Sequence, residues 1–212
     1  NSTYSAGIDL YYKKMKNLIS FSEGEVFQGS AVDWQNRVEK NGIGTSKGIE
    51  LFLRKKTGKL TGWISYTLSK TDRQFEYINF GQKFAFKYDR RHDFNIVGSI
   101  PLNDFWNFSA TWVYGSGYPI TLALGKINTV SLGDVPDNST DYYDFEDVGE
   151  YYGSKNSFKM RSYQRLDFGF THTIEKNGVE RIWTIGVYNA YNRKNPNYYF
   201  YKERKPWRGD YT

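Results

Sequence analysis

Residues 94–121, FNIVGSIPLNDFWNFSATWVYGSGYPIT, alternate with a period of two on both sides of a short interruption. Phe94, Ile96, Gly98 and Ile100 fall on one side, against Asn95, Val97, Ser99 and Pro101. After a turn at 101–104, Trp106, Phe108, Ala110, Trp112 and Tyr114 fall against Asn107, Ser109, Thr111 and Val113. A period of two is the side-chain repeat of a β-strand, so the stretch reads as a hairpin with one apolar face and one mostly small, polar face. The apolar face of its second strand begins and ends in rings, Trp106 and Tyr114, eight residues apart. For a strand tilted near 40° that spacing is a height of roughly 20 Å. The apolar band of an outer-membrane barrel has about this height and lies between two aromatic girdles. The spacing therefore predicts a piece of a transmembrane β-barrel.

The same pattern recurs along the chain. Tyr4, Ala6, Ile8, Leu10 and Tyr12 alternate with Ser5, Gly7, Asp9 and Tyr11, again with rings eight residues apart. From about 13 to 47 the alternation fades into an expected loop holding Trp34. Ile49, Leu51 and Leu53 then oppose Glu50, Phe52 and Arg54 over 48–56. A turn at 56–59 leads to a return strand over 60–69, whose Leu60, Gly62, Ile64, Tyr66 and Leu68 oppose Thr61, Trp63, Ser65, Thr67 and Ser69. Long loops are expected at about 70–92, which holds Tyr77, and at about 115–164. The last hairpin pairs 165–174 with about 181–191 across Glu175–Gly178, where Asn177-Gly178 is the strongest short hairpin signal. Its outward sets are Leu166, Phe168, Phe170, His172 and Ile174, then Trp183, Ile185, Val187, Asn189 and Tyr191.

Seven expected strands thus alternate between short turns and long loops. In an antiparallel meander this puts all short connections at one end and all long ones at the other, as in outer-membrane barrels; soluble β-sandwiches mix loop lengths at both ends. Seven strands in a row leave two unpaired edges, and bare backbone groups in lipid cost several kcal/mol each, so the expected barrel is larger than this chain.

Composition agrees with this class. There are 19 Tyr, 15 Phe and 6 Trp among 212 residues, far above ordinary soluble usage. The mean hydropathy of −0.71 fits a barrel, whose strands turn half their side chains to a polar lumen. No apolar run approaches the ~18 residues of a membrane helix. The opening NSTYSAGIDLYY has neither the basic nor the apolar region of a signal peptide, so a processed chain or an internal fragment is expected. With no Cys, disulfides, zinc-thiolate sites and cysteine nucleophiles are excluded. A net charge of +6 from 29 basic and 23 acidic residues is scattered through turns and strand ends. Nucleic acid would require a basic stripe interleaved with aromatics.

Chemistry-bearing residues are few. Asp141, Asp144, Glu146 and Asp147 lie in DVPDNSTDYYDFEDVGEYYG, but a glycosidase needs two carboxyls held on a rigid frame. Calcium suits such an oxygen-rich loop, yet the spacing fits no EF-hand loop. His92 and His172 are the only histidines, and neither has a second ligand at metal spacing. The residues from Asn41 to Gly48 look like a phosphate loop but precede a strand instead of opening a helix. No Gly-x-Ser-x-Gly elbow is present. No cofactor, metal or enzymatic activity is expected. The sequons at Asn1 and Asn138 read as polar loops.

Two groups stand out as functional. Glu50, Arg54, Asp93, Arg165 and Asp167 are placed on the polar, lumen-side face, where they would pair with neighbouring strands or with a plug. Tyr142, Tyr143, Tyr151 and Tyr152, with Asp144 among them, sit in the longest loop. With Trp34 and Tyr77 they form the expected ligand-binding set, because rings beside carboxylates suit stacking on sugars or flat ligands.

KGIELFLRKKTGKLTGWISYTLSKTDRQF, FKYDRRHDFNIVGSIPLNDFWNFSATWVYGSGYPIT, SYQRLDFGFTHTI and IGVYNAYNRKNPNYYFY resemble, in that order, the C-terminal barrel region of TonB-dependent outer-membrane receptors of the Bacteroidetes type. Tyr88-Asp89-Arg90-Arg91-His92, the Gly115–Thr121 run and the Tyr191–Pro196 run carry the resemblance together. It covers about residues 5–202, poorly at 20–45 and 122–155. The resemblance implies a barrel of about 22 strands filled by an N-terminal plug, of which this chain would hold roughly the fifteenth to twenty-first. The plug, the TonB-contacting segment, the early strands and the final strand would lie outside it. It further implies import of a scarce siderophore, glycan, peptide or vitamin across a Gram-negative outer membrane, driven through the TonB complex. The implied surroundings are membrane lipid and lipopolysaccharide, with long loops extracellular and a surface lipoprotein as a possible partner. The alternatives are a soluble or surface-attached β-protein binding carbohydrate through Tyr-rich loops, and an outer-membrane enzyme.

Overall fold

In the computed structural model, residues 3–22, 35, 37–128 and 148–199 are described. They are all-β apart from short 3-10 turns such as Asn79–Gly81. In chain order the strands are β1 (Tyr4–Phe21), β2 (Val38–Lys55), β3 (Thr61–Gln74), β4 (Phe84–Ala85), β5 (His92–Pro101), β6 (Trp106–Gly115), β7 (Pro119–Ile120), β8 (Ala123–Asn128), β9 (Val148–Tyr152), β10 (Phe158–Lys159), β11 (Tyr163–Lys176) and β12 (Val179–Val187).

The large sheet runs β1-β2-β3-β5-β6-β11-β12, with β4 also on β3, and every pairing is antiparallel. It is open, and β1 and β12 are its edges. The seven main strands follow chain order, so their connections fall alternately at the two ends. The short turns at 56–60, 102–105 and 177–178 share one end, and the three long connections share the other. Asn177 and Gly178 both have positive φ, 56° and 74°, as a tight right-twisting hairpin requires.

The register collects the alternating sets into two continuous faces. Ile8, Leu51 and Tyr66 lie in one row and Leu10, Ile49 and Leu68 in the next. Further along, Ile64, Ile96, Trp112 and Leu166 align, as do Ile100, Phe108, Phe170 and Ile185. Phe108 contacts both Phe168 and Phe170, with ring centroids 6.2 and 5.1 Å away, and Trp106 lies 4.5 Å from His172. On the opposite face, Asn95 Nδ2 donates to Ser65 Oγ, Asn107 Nδ2 to Ser99 Oγ, and the Thr171 and Thr184 hydroxyls meet. Cross-strand pairs of these kinds are what stabilises a sheet.

This sheet has no core of its own. The buried apolar side chains among the described residues are Phe75, Ile78, Phe84, Pro119 and Ala123, and none belongs to the seven main strands. Ile8 and Leu10 on β1 are 71% and 74% exposed, and Trp183 and Ile185 on β12 are 69% and 70% exposed.

Several sequence expectations need correction. The first long loop is mostly strand, since β1 continues to Phe21 and β2 begins at Val38; β3 likewise runs on to Gln74. Alternation reports a contrast in burial between faces. Once both faces meet the same surroundings the contrast fades, while backbone pairing continues. The last strand ends at Val187 and not at Tyr191: Asn189 turns left-handed at φ 53°, so Asn189 and Tyr191 do not extend the outward face of β12. The third long loop also contains strands, β7 with β10 and β8 with β9.

In the β1–β2 hairpin the register shifts twice, once after Met15 on β1 and again above Leu18, where β2 holds the extra residue. Asn17 and Asn41 mark these bulges with φ of 56° and 60°. An extra residue reverses the side-chain alternation beyond it. Leu18 is thereby seated against Phe75, Ile78 and Phe84.

Candidate ligand-binding surface at the long-loop end

The apolar cluster absent from the sheet lies in the β3–β5 connection. Phe75 and Phe84 stack with centroids 6.2 Å apart, and Ile78 is fully buried beside them. Asn79, Phe80 and Gly81 are consecutively left-handed, with φ of 55°, 54° and 71°. Such a run is held only where surrounding contacts define it. Here the buried Asn79 supplies one of them, its Oδ1 accepting the Lys155 N–H at 2.9 Å. Asn156, also left-handed, donates from Nδ2 to the Ala85 carbonyl at 2.7 Å, and its own N–H reaches Thr121 Oγ1 at 2.9 Å. These bonds tie the β3–β5 connection to the β6–β11 connection.

The runs that carried the resemblance interlock in the same region. Asp89 is buried and accepts the Thr71 N–H at 2.6 Å. The Arg90 guanidinium bonds Asp93 at 2.8 Å and lies 4.5 Å from the centre of the Tyr118 ring. His92 and Ser116 exchange hydrogen bonds, from the Ser116 N–H to the His92 carbonyl and from the His92 N–H to Ser116 Oγ. After β12, Asn195 pairs with the backbone of Gln164 through its side-chain amide, at 2.7 and 2.9 Å, and Arg193 reaches the Ser162 carbonyl at 2.9 Å. The amide thus continues edge pairing on β11 where β12 has ended. These residues are structural fastenings of the loop end.

Beside the cluster, Arg73, Phe84, Phe86, Lys87 and Asn156 line a cleft of about 370 Å³. The Arg73 guanidinium stacks 3.7 Å from the Phe86 ring centre, and its buried Nε has no hydrogen-bond partner among the described residues. A cation on an aromatic face, with a donor still unused, suits an anionic or flat polar group. Sequence reasoning missed Arg73, Phe86 and Lys87; for the last two the available signal was the concentration of rings and cations in KFAFKYDRR.

Of the expected ligand-binding set, Trp34, Tyr142, Tyr143 and Asp144 lie outside the described residues. Tyr77 stands on the β3–β5 connection, 70% exposed. The neighbouring Glu76 carboxylate, by hydrogen bonding and by its charge, pushes the phenol above its ordinary pKa. Tyr151 and Tyr152 are exposed on β9, where Tyr151 opposes Gly125 and Tyr152 opposes Ala123. As neighbours on one strand they point to opposite faces, so they cannot form a single platform. No ring contact joins Tyr77 to Tyr151 among the described residues.

The five charged residues share the polar face. Asp93 holds Arg90 and accepts from Asn95 Nδ2 at 2.7 Å. Arg165 bonds Asp167 at 2.8 Å and the Tyr188 hydroxyl at 2.7 Å, while Asp167 also accepts the Asn189 N–H at 2.9 Å. Glu50 lies opposite Asp9 and Thr67, and Arg54 opposite Ser5 and Trp63; neither has an ion pair among the described residues. Three of the five are therefore paired within the sheet and its loop end. Compared with protein-family models, with curated proteins and with solved structures, the chain has no match.

Proposed function

We propose that this chain is wall of a transmembrane β-barrel in a Gram-negative outer membrane, belonging to a TonB-dependent transporter that imports a scarce nutrient without chemical change. One observation carries the reading. A seven-stranded sheet presents a continuous apolar face and a hydrogen-bonded polar face, has no apolar core of its own, and leaves both edges bare. Soluble proteins rarely expose contiguous apolar patches beyond a few hundred Å². In a barrel the apolar face meets lipid, the polar face meets a lumen, and further strands close both edges.

In this reading the short turns are periplasmic and the long connections extracellular. The ligand, a siderophore, glycan, peptide or vitamin, meets the loop end, where Tyr77, Tyr151, Tyr152 and the Arg73 cleft lie. A surface lipoprotein is a candidate partner there. Coupling to the TonB complex passes through a plug supplied by the rest of the protein, and the uncommitted Glu50 and Arg54 are its candidate wall contacts.

Cell fractionation tests the proposal. Recovery only from detergent-extracted outer membranes is the expected result. Recovery of the complete protein in plain buffer overturns it and favours a soluble or surface-attached carbohydrate-binding β-protein.

A further inference from the structure

The register places an unusual row at the upper border of the apolar face. Tyr12, Lys47 and Lys70 are cross-strand partners, immediately beyond Leu10, Ile49 and Leu68. Lys47 and Lys70 thus stand directly opposite each other, a like-charge pair that weakens a sheet unless an anion offsets it. The next row is Lys14, Thr45 and Asp72. Asp72 bonds Lys70 at 3.3 Å, and the Lys14 ammonium lies 5.9 Å from the Tyr12 ring centre. Lys14, Lys16, Thr45, Asp72 and Lys83 line a cleft of about 260 Å³ just above. Five lysines, Lys14, Lys16, Lys47, Lys70 and Lys83, thus occupy these two rows and the cleft above them with one carboxylate, Asp72, which is engaged by Lys70.

We propose that this corner is a seat for the phosphate group of a lipid in the surrounding leaflet. The inference rests on the transmembrane reading. The acyl chains run down Leu10, Ile49, Leu51 and Leu68. The phosphate lies about one row higher, ~7 Å above the Leu10 row, where Lys47 and Lys70 converge on it and Lys14 and Lys16 flank it. A phosphate monoester supplies the missing negative charge and accepts several charge-assisted hydrogen bonds at once. The continuity of apolar rows with a cationic row selects a lipid over a free phosphate, which would gain nothing from the surface below.

The test uses the complete protein in bilayer discs of phosphatidylcholine, with and without a minor fraction of phosphatidic acid, and counts retained phosphatidic acid by native mass spectrometry. Lys47→Gln with Lys70→Gln should lower retention on the order of tenfold. Lys56→Gln with Lys59→Gln, in the turn at the other end, should leave it unchanged. Entry into discs without phosphatidic acid reports the transmembrane reading separately: failure to enter removes that reading and the seat with it. Normal entry with retention independent of Lys47 and Lys70 removes the seat alone. Lys47- and Lys70-dependent binding of inorganic pyrophosphate, without retention of phosphatidic acid, also overturns the assignment to lipid.

Discussion

Gly42 lies so close under the Phe75 ring that a Cβ at position 42 would overlap it. The long hairpin and the loop core are therefore fitted to each other at one point. We predict that Gly42→Ala displaces Phe75 and costs about 1–3 kcal/mol of local stability. Limited proteolysis of the complete protein, read at the 75–91 connection, should show cleavage accelerated several-fold. Adding Phe75→Leu should recover most of the protection, and no acceleration in the single variant would show that the two are not fitted.

On the proposed transmembrane reading, the two faces make a second prediction. With single Cys probes in the complete protein, positions 65, 109 and 186 should react with a water-soluble thiol reagent, while 64, 108 and 187 should stay protected by lipid. The opposite pattern would invert the wall. Phe108→Arg should destabilise the inserted protein by about 2–4 kcal/mol if residue 108 lies near the midplane.

The bare edges of β1 and β12 predict the behaviour of residues 1–212 by themselves. Unpaired strand edges recruit other strands, and in lipid they are untenable. We expect the isolated chain to aggregate or associate. A cooperative unfolding transition from a monomer, seen by sedimentation and circular dichroism together, would contradict this.

On the proposed transport role, the Tyr-rich loop predicts a loss of uptake. Replacing Tyr142, Tyr143, Tyr151 and Tyr152 together with Ser should abolish uptake of the native ligand and leave assembly intact. Unchanged uptake and affinity would take this loop out of the ligand site.

The strand pairings were legible because Ile64, Phe108 and Ile185 sit in runs whose apolar-to-polar contrast repeats every two residues, and because Asn177-Gly178 favours a tight hairpin turn. Where that contrast vanishes the sequence falls silent, and so the 18-residue lengths of β1 and β2 could not be read. The end of β12 was masked by an accidental continuation: Asn189 and Tyr191 keep the period of two, but Asn189 leaves the strand to donate its N–H to Asp167. The loop core escaped because Phe75, Ile78 and Phe84 have no single period. Their packing follows from a left-handed run at 79–81 and from bonds to residues some seventy positions away.

The paired bulges at Asn17 and Asn41 also constrain how the long hairpin could gain or lose residues. Deleting Asn17 would remove the first bulge and keep Leu18 opposite Gly42 and Ser20 opposite Glu39, but the restored alternation would swing Leu18 away from Phe75. Deleting Asn41 would likewise remove the second bulge and keep the pairs on either side of it. Deletions at these bulges are therefore tolerated by the pairing and filtered by the orientation of a single leucine.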